Sequence, residues 1–181
     1  MTTTPQSSEE EPTTVRPLVW DPEEIQKRVS LVEAGDGEIT LDGTLQMKLL
    51  EAGDTTAGRL AVGIATVQKG RNSGLQHRHQ QHDEGFYVLS GRVEFSVEKE
   101  TRVVGPGTFI MVPPGAPHGF HNPFDEEAVM FCTFSPSLYV GLFREMAEIM
   151  RKDPTQLGPV QEVARRYFTE FSEEYARPPI D

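Results

Sequence analysis

From Glu38 to Phe134 the chain is built of short apolar runs in which apolar and polar residues alternate, broken by Gly, Pro, Asn and Asp. Leu45, Met47 and Leu49 alternate with Gln46 and Lys48; Val93, Phe95 and Val97 alternate with Arg92, Glu94, Ser96 and Glu98. Successive side chains of a strand point to opposite faces, so a period of two predicts half-buried strands. Similar runs predict strands over residues 59–67, 75–80, 84–90, 108–112, 117–122 and 128–134. This many short strands at close spacing imply a sandwich or barrel of the jelly-roll kind.

The pattern changes at both ends. Residues 1–17 are mostly Thr, Ser, Pro and Glu, a composition too polar to offset chain entropy by burial, and they predict a disordered tail. Asp21-Pro22-Glu23-Glu24 has the order of a helix start, with a capping acid, a proline and further acids, and Gly35 and Gly37 keep that helix short. Beyond Phe134, Ser135-Pro136 caps a segment in which Leu138, Leu142, Met146, Ile149 and Met150 recur at helical spacing. Val160, Val163, Ala164, Tyr167, Phe168, Phe171 and Tyr175 form a second such set, and Asp153-Pro154 and Gly158-Pro159 punctuate the gap. Two amphipathic helices are expected, packed on the barrel or on another subunit. The expected organisation is a tail (1–17), a β-barrel with an N-terminal arm (18–134) and a helical extension of the same domain (135–177), and 181 residues suit one such core.

Composition narrows the function. With 28 acidic against 17 basic residues the net charge is −11, which repels a phosphate backbone and excludes nucleic acid as a partner. Apolar stretches such as residues 128–134 are too short to span a bilayer, and the start lacks the basic-then-apolar order of a signal peptide; a soluble, cytoplasmic protein is expected. Cys132 is the one cysteine, which rules out an intrachain disulfide, and its neighbours Val129, Met130 and Phe131 predict a buried, unreactive thiol. A small barrel leaves sheet edges exposed, so a homodimer is expected, through a surface the sequence does not identify.

Candidate chemistry sits in two segments. The first is His77-Arg78-His79-Gln80-Gln81-His82-Asp83-Glu84, closed by Gly91; the second holds Gly107, Pro113, Gly115, His118 and Asn122. Strand parity puts His77 and His79 on one face, Glu84 opens the next strand, and His118 opens the strand after the Pro113-Pro114-Gly115 turn. Three imidazoles and one carboxylate suit one divalent ion, and mixed nitrogen and oxygen donors fit iron, manganese, nickel, cobalt, copper or zinc alike. His121, three residues from His118, is expected on the opposite face, and His82 in the connecting loop; both are expected at the surface or behind the ligands. The inward positions are taken as Met47, Leu49, Val62, Ile64, Phe86, Val88, Phe109, Met111, Phe120 and Phe131.

These segments resemble the paired motifs of the cupin superfamily. His77, His79, Glu84 and Gly91 match His-x-His-x(4)-Glu-x(6)-Gly; Gly107, Pro113, Gly115, His118 and Asn122 match Gly-x(5)-Pro-x-Gly-x(2)-His-x(3)-Asn. The glycine that begins the family pattern six positions before the first histidine is Arg71 here, with Gly70 one residue further out. The resemblance implies a mainly β fold, a single cupin (jelly-roll) barrel with a short N-terminal segment and two C-terminal helices. It also implies His77, His79, Glu84 and His118 as ligands of one divalent metal. The layout of one barrel and a helical tail is similar to that of bacterial quercetinase-like flavonol dioxygenases. That likeness implies an oxidoreductase acting on an enolic or phenolic small molecule, with dioxygen as co-substrate and Glu84 as general base. A metal-dependent isomerase or cyclase, or a small-molecule-binding barrel without turnover, fits the same motifs, and Glu84 is equally suited to be a static ligand.

Overall fold

The computed structural model describes residues 21–23, 29–72, 76–153 and 157–171. Twelve strands and two helices follow one another as β1 (Glu38–Leu41), β2 (Leu45–Glu51), β3 (Ala61–Val67), β4 (Arg71–Asn72), β5 (His77–His79), β6 (Asp83–Ser90), β7 (Val93–Val97), β8 (Glu100–Val104), β9 (Phe109–Val112), β10 (His118–Asn122), β11 (Ala128–Ser135), α1 (Tyr139–Lys152), α2 (Leu157–Arg166) and β12 (Thr169–Phe171). One sheet runs β1-β2-β3-β11-β6-β9, the other β12-β5-β10-β7-β8 with β4 also on β10, and every pairing is antiparallel. Antiparallel sheets with crossovers between distant strands, and a shared interior, make this the expected jelly roll.

The interior is filled by Met47, Leu49, Ala65, Val67, Phe86, Val88, Phe95, Met130, Cys132 and Phe134. Tyr139, Val140, Leu142 and Phe143 of α1 extend this core, so the helix packs on the barrel through its apolar face. Arg144 fastens α1 to β1 by a two-pronged bond to the Glu38 carboxylate, at 2.8 and 2.6 Å. Pro22 and Glu23 are helical and the Glu23 N–H donates to Asp21 Oδ1 at 2.9 Å, the expected cap; residues 24–28, where the expected helix would continue, and the tail 1–17 lie outside the described residues.

Several expected positions are corrected. In β3 the buried residues are Ala61, Gly63, Ala65 and Val67, so Val62 and Ile64 face away from the core. In β9, Phe109 and Met111 are exposed while Val112 is buried, and in β11 Phe131 is on the face opposite Met130 and Cys132. These runs are apolar on both faces, so alternation carries no phase, and the phase is set by pairing with neighbours. Strand β8 was not expected because its first four residues are all exposed; it forms by hairpin pairing with β7. Ser135 ends β11, donating from Oγ to the Arg59 carbonyl, and the residue before α1, Leu138, makes no side-chain cap bond. The second helix ends at Arg166, short of its apolar period. Phe168 takes a positive φ of 54° and the chain continues as β12, in which Thr169 is buried and Glu170 exposed.

Candidate metal centre

Strand β5 carries His77 and His79, β6 carries Glu84, and β10 carries His118, which stands directly opposite His77 across the sheet. The two segments that are 34 residues apart at Glu84 and His118 therefore meet inside the barrel. The turn between β9 and β10 is tied to the ligand strand itself, since the Gly115 N–H donates to the His79 carbonyl at 2.7 Å. Gly115 needs its φ of 86° to make that turn, a conformation other residues adopt only with strain.

Glu84 is the hub. Its Oε2 lies 2.9 Å from His79 Nε2 and 3.1 Å from His118 Nε2. His79 and His118 have no exposed surface, and Glu84 only 4%. The ligand atoms of His77, Glu84 and His118 lie within 4.8 Å of one another, as do those of His79, His82 and Glu84. Burial works to raise the Glu84 carboxyl, but its bonds to His118 and His79 outweigh burial and hold it well below the usual carboxylate range. It is an anion at neutral pH.

The donors fit a divalent ion. His118 Nδ1 lies 3.0 Å from the Ala116 carbonyl and donates to it, and Nε2 is turned toward the Glu84 carboxylate, where it can share a proton or an ion. Two donors at about 2.1 Å from one ion stand about 3.0 to 3.4 Å apart, for right-angled to tetrahedral arrangements. The spacing of 3.1 Å falls in that range and that of 2.9 Å just below it. Nδ1 of His79 is buried without a hydrogen-bond partner, so no protein acceptor fixes the tautomer of that ring.

His82 is not at the surface. It is 2% exposed and stacks on His79 with centroids 3.7 Å apart and planes 24° from parallel. Nitrogen lone pairs lie in the ring plane, so two stacked rings aim past each other and do not converge on one ion. Despite the proximity of its nitrogen to His79 and Glu84, His82 therefore stands behind the ligand set. Burial first, and then the charge of His79, push its imidazole down to about 4, so it is neutral at pH 7. His121 is buried as well, at 7% exposure, and pairs with Glu94 at 3.1 Å, away from Glu84. The expected opposite face is right for His121, and of the two places expected for these histidines, at the surface or behind the ligands, burial leaves only the second.

Two aromatic residues from outside the paired motifs flank the cluster. The Tyr139 ring lies 4.5 Å from that of His82, 5.9 Å from His79 and 6.4 Å from His77. Phe171 of β12 lies 5.7 Å from His77. They lie beyond the barrel motifs, on α1 and β12, where no strand period or motif spacing points to them. Burial, then the negative charge of Glu84, keep the Tyr139 phenol protonated, its pKa well above the ordinary value, against the opposing bond with Thr169.

The comparisons agree with this architecture. Residues 63–134 match the Cupin domain. The chain is 35% identical over 77 residues to an uncharacterized protein of Streptomyces coelicolor, covering 42% of this chain and 70% of the other. It is 25% identical over 118 residues to a quercetin 2,3-dioxygenase of Bacillus subtilis, covering 65% of this chain but 34% of that enzyme, about a third of its length. Among solved structures, the polyketide cyclase RemF from Streptomyces resistomycificus superposes with a TM-score of 0.53 at 21% identity, over 59% of this chain and 79% of that one, a likeness of fold alone. The chain belongs to the cupin superfamily. One relative and one structural neighbour bear the names of a dioxygenase and a cyclase. No helix among the described residues is long and apolar enough to cross a membrane.

Proposed function

We propose that this protein is a metal-dependent cupin oxidoreductase, a dioxygenase acting on an enolic or phenolic small molecule. The observation that carries the metal is the convergence of His79 and His118 on one oxygen of Glu84, with His77 beside them. The likeness to the Bacillus subtilis quercetin 2,3-dioxygenase supports the reaction class. His77, His79, Glu84 and His118 would hold one divalent ion. When bound, that ion supplies positive charge to stabilise an enolate or phenolate and a path for electrons to dioxygen.

The chain's own residues do the rest. Glu84, anionic and buried, is the group placed to accept a proton from a substrate hydroxyl through the oxygen it does not turn to the histidines. His82, neutral at pH 7, braces the His79 ring by stacking, and Tyr139 packs against His82 in turn. Phe86, Phe95 and Phe120 pack edge-on and stacked near His118, an apolar wall that excludes water.

Metal analysis of protein made without chelators, followed by oxygen uptake with flavonols and related enolic substrates, tests the reading. One equivalent of divalent metal is expected, lost in His118→Ala, with oxygen consumed in step with substrate. Turnover that proceeds equally well without dioxygen would defeat the oxygenase reading and favour an isomerase or cyclase that uses the ion as Lewis acid. Metal-free protein, with no change in His118→Ala, would remove the basis for an enzyme.

A further inference from the structure

Of the four candidate ligands only His77 has appreciable exposure; His79 and His118 have none and Glu84 has 4%. The exposed approach to the site therefore runs along His77. The strand beside it is β12, in which Phe171 stands opposite His77 and Thr169 opposite His79. Directly opposed residues of an antiparallel pair share a face, so Phe171 lies on the ligand face, with its ring centre 5.7 Å from that of His77. The same Phe171, with Thr169 and Glu170 beside it and Gln161 and Arg165 of α2 across from it, lines a cavity of about 320 Å³. That volume lies at the lower end of the range of small-molecule sites, about 300–1,000 Å³.

The cavity carries an uncompensated positive charge. Gln161 and Arg165 are one helical turn apart on α2 and so project from one side of it. Among the described residues Arg165 has no carboxylate partner, whereas the neighbouring Arg166 is paired with Glu145. Glu170 does not neutralise Arg165. By strand parity its side chain turns to the other face of β12, where the carboxylate accepts from Arg78 at 2.8 and 2.6 Å and from Gln80 at 3.0 Å. A guanidinium beside a primary amide suits a carboxylate, the first through charge and paired N–H groups and the second through a further donor.

We propose that this cavity holds the anionic end of a substrate whose enol or phenol oxygen is at the ion, so that the molecule taken is an enolic or phenolic acid. The end at the ion rests on the function proposed above; the anionic end rests on Arg165, Gln161 and the cavity alone. Phe171 borders both and gives the span between them an apolar, aromatic flank. The net charge of −11 sharpens the assignment. A chain so acidic disfavours anions in general, so a preference for an acid over its neutral amide needs a local cation, and Arg165 is the one this cavity supplies.

Calorimetric titration of the full chain with para-hydroxycinnamate and with its neutral amide tests this, at low ionic strength and with one equivalent of zinc, which has no redox chemistry and so permits no oxidation. The acid is expected to bind about three- to tenfold more tightly than the amide, and the preference to fade as salt is added. Arg165→Gln should abolish the preference, and Arg165→Lys should keep most of it. Equal binding of the two molecules, binding of neither, or a preference that persists in Arg165→Gln overturns the proposal. A lowered melting temperature in Arg165→Gln with an unchanged preference overturns it as well, because Arg165 would then serve only the C-terminal end of α2. Oxygen uptake separates this result from the fate of the proposed reaction. An acid preference without oxygen consumption on any substrate retains the cavity and removes the dioxygenase; oxygen consumption with phenols but no acid preference does the reverse.

Discussion

Thr169 stands directly opposite His79 across the sheet, so the last described strand is laid on the strand that supplies two of the four candidate ligands. Strand β5 meets β10 at a single residue pair, His118 with His77, but meets β12 at three, Thr169, Glu170 and Phe171 with His79, Arg78 and His77. The Gln80 N–H adds a fourth tie, to the Phe168 carbonyl. On the exposed side Glu170 accepts from both Arg78 and Gln80. The tail thus shapes the motif strand as well as covering it.

Tyr139 joins the tail to the site, and its removal should be costly. The ring is 5% exposed and packs against His82, Phe134 and Phe143. Tyr139→Ala should destabilise the fold by about 3–5 kcal/mol, as for other large aromatic truncations, whereas Tyr139→Phe keeps the packing and should cost about 1 kcal/mol for the lost hydroxyl bond. Urea unfolding of the two variants measures the difference; equal losses would mean that the hydroxyl, and not the ring, is what matters.

Two motif glycines should answer differently to alanine. Gly91 has a φ of 67°, and an added Cβ would lie 2.2 Å from the Glu127 carbonyl oxygen and 2.7 Å from the Ala128 Cα, backbone that cannot step aside. Gly107 has a φ of 87° but nothing within 4 Å of an added Cβ. Gly107→Ala should therefore cost about 1–2 kcal/mol for the left-handed backbone alone, and Gly91→Ala clearly more. Thermal denaturation of both variants checks the order, which a shared role as turn residues alone would make equal.

The Arg144 clasp gives a pH signature. Its hydrogen bond to Glu38, opposed by partial burial and aided by its charge, lowers the Glu38 carboxyl below 4.5. A carboxyl whose folded value is depressed adds stability above its unfolded value and loses it as pH falls through the folded one. Both side chains are nearly half exposed, so Arg144→Ala should cost only about 0.2–1 kcal/mol at pH 7. The gap between variant and wild type should close as the pH is lowered from about 4.5. A difference in unfolding free energy that stays constant down to pH 3 would show that Arg144 acts through packing.

Cys132 should resist thiol reagents in the folded protein. It has no exposed surface, and burial, together with the nearby charge of Glu84, raises its thiol well above the ordinary value. Labelling at pH 8 should appear only on unfolding, and rapid labelling of native protein would contradict the burial.

What could be read from the chain, and what could not, divides along physical lines. His77, His79, Glu84 and His118 were found because strand parity and turn residues fix where such side chains go, and the structure does gather them about Glu84. Val62, Ile64, Phe109, Met111 and Phe131 were assigned the wrong face because their strands are apolar on both faces and only sheet pairing sets the phase. His82 was left between the surface and a place behind the ligands because a loop has no parity, and its stacking on His79 depends on the path between β5 and β6. Strand β12 was hidden inside a helical period that Phe171 and Phe168 happened to continue; a turn at Phe168 and pairing with β5 override that local preference.

The clasp between Arg78 and Glu170 joins residues 92 positions apart. Chains are synthesised at roughly 5–20 residues per second, so the ligand-bearing strand waits about 5–20 seconds after emerging before its outer neighbour exists. During that interval His77 and His79 sit on an open sheet edge in a nascent chain, available to stray ions and to other strand edges alike. The outer edge of β5 is thereby the part of the sheet that closes last, when the tail is complete.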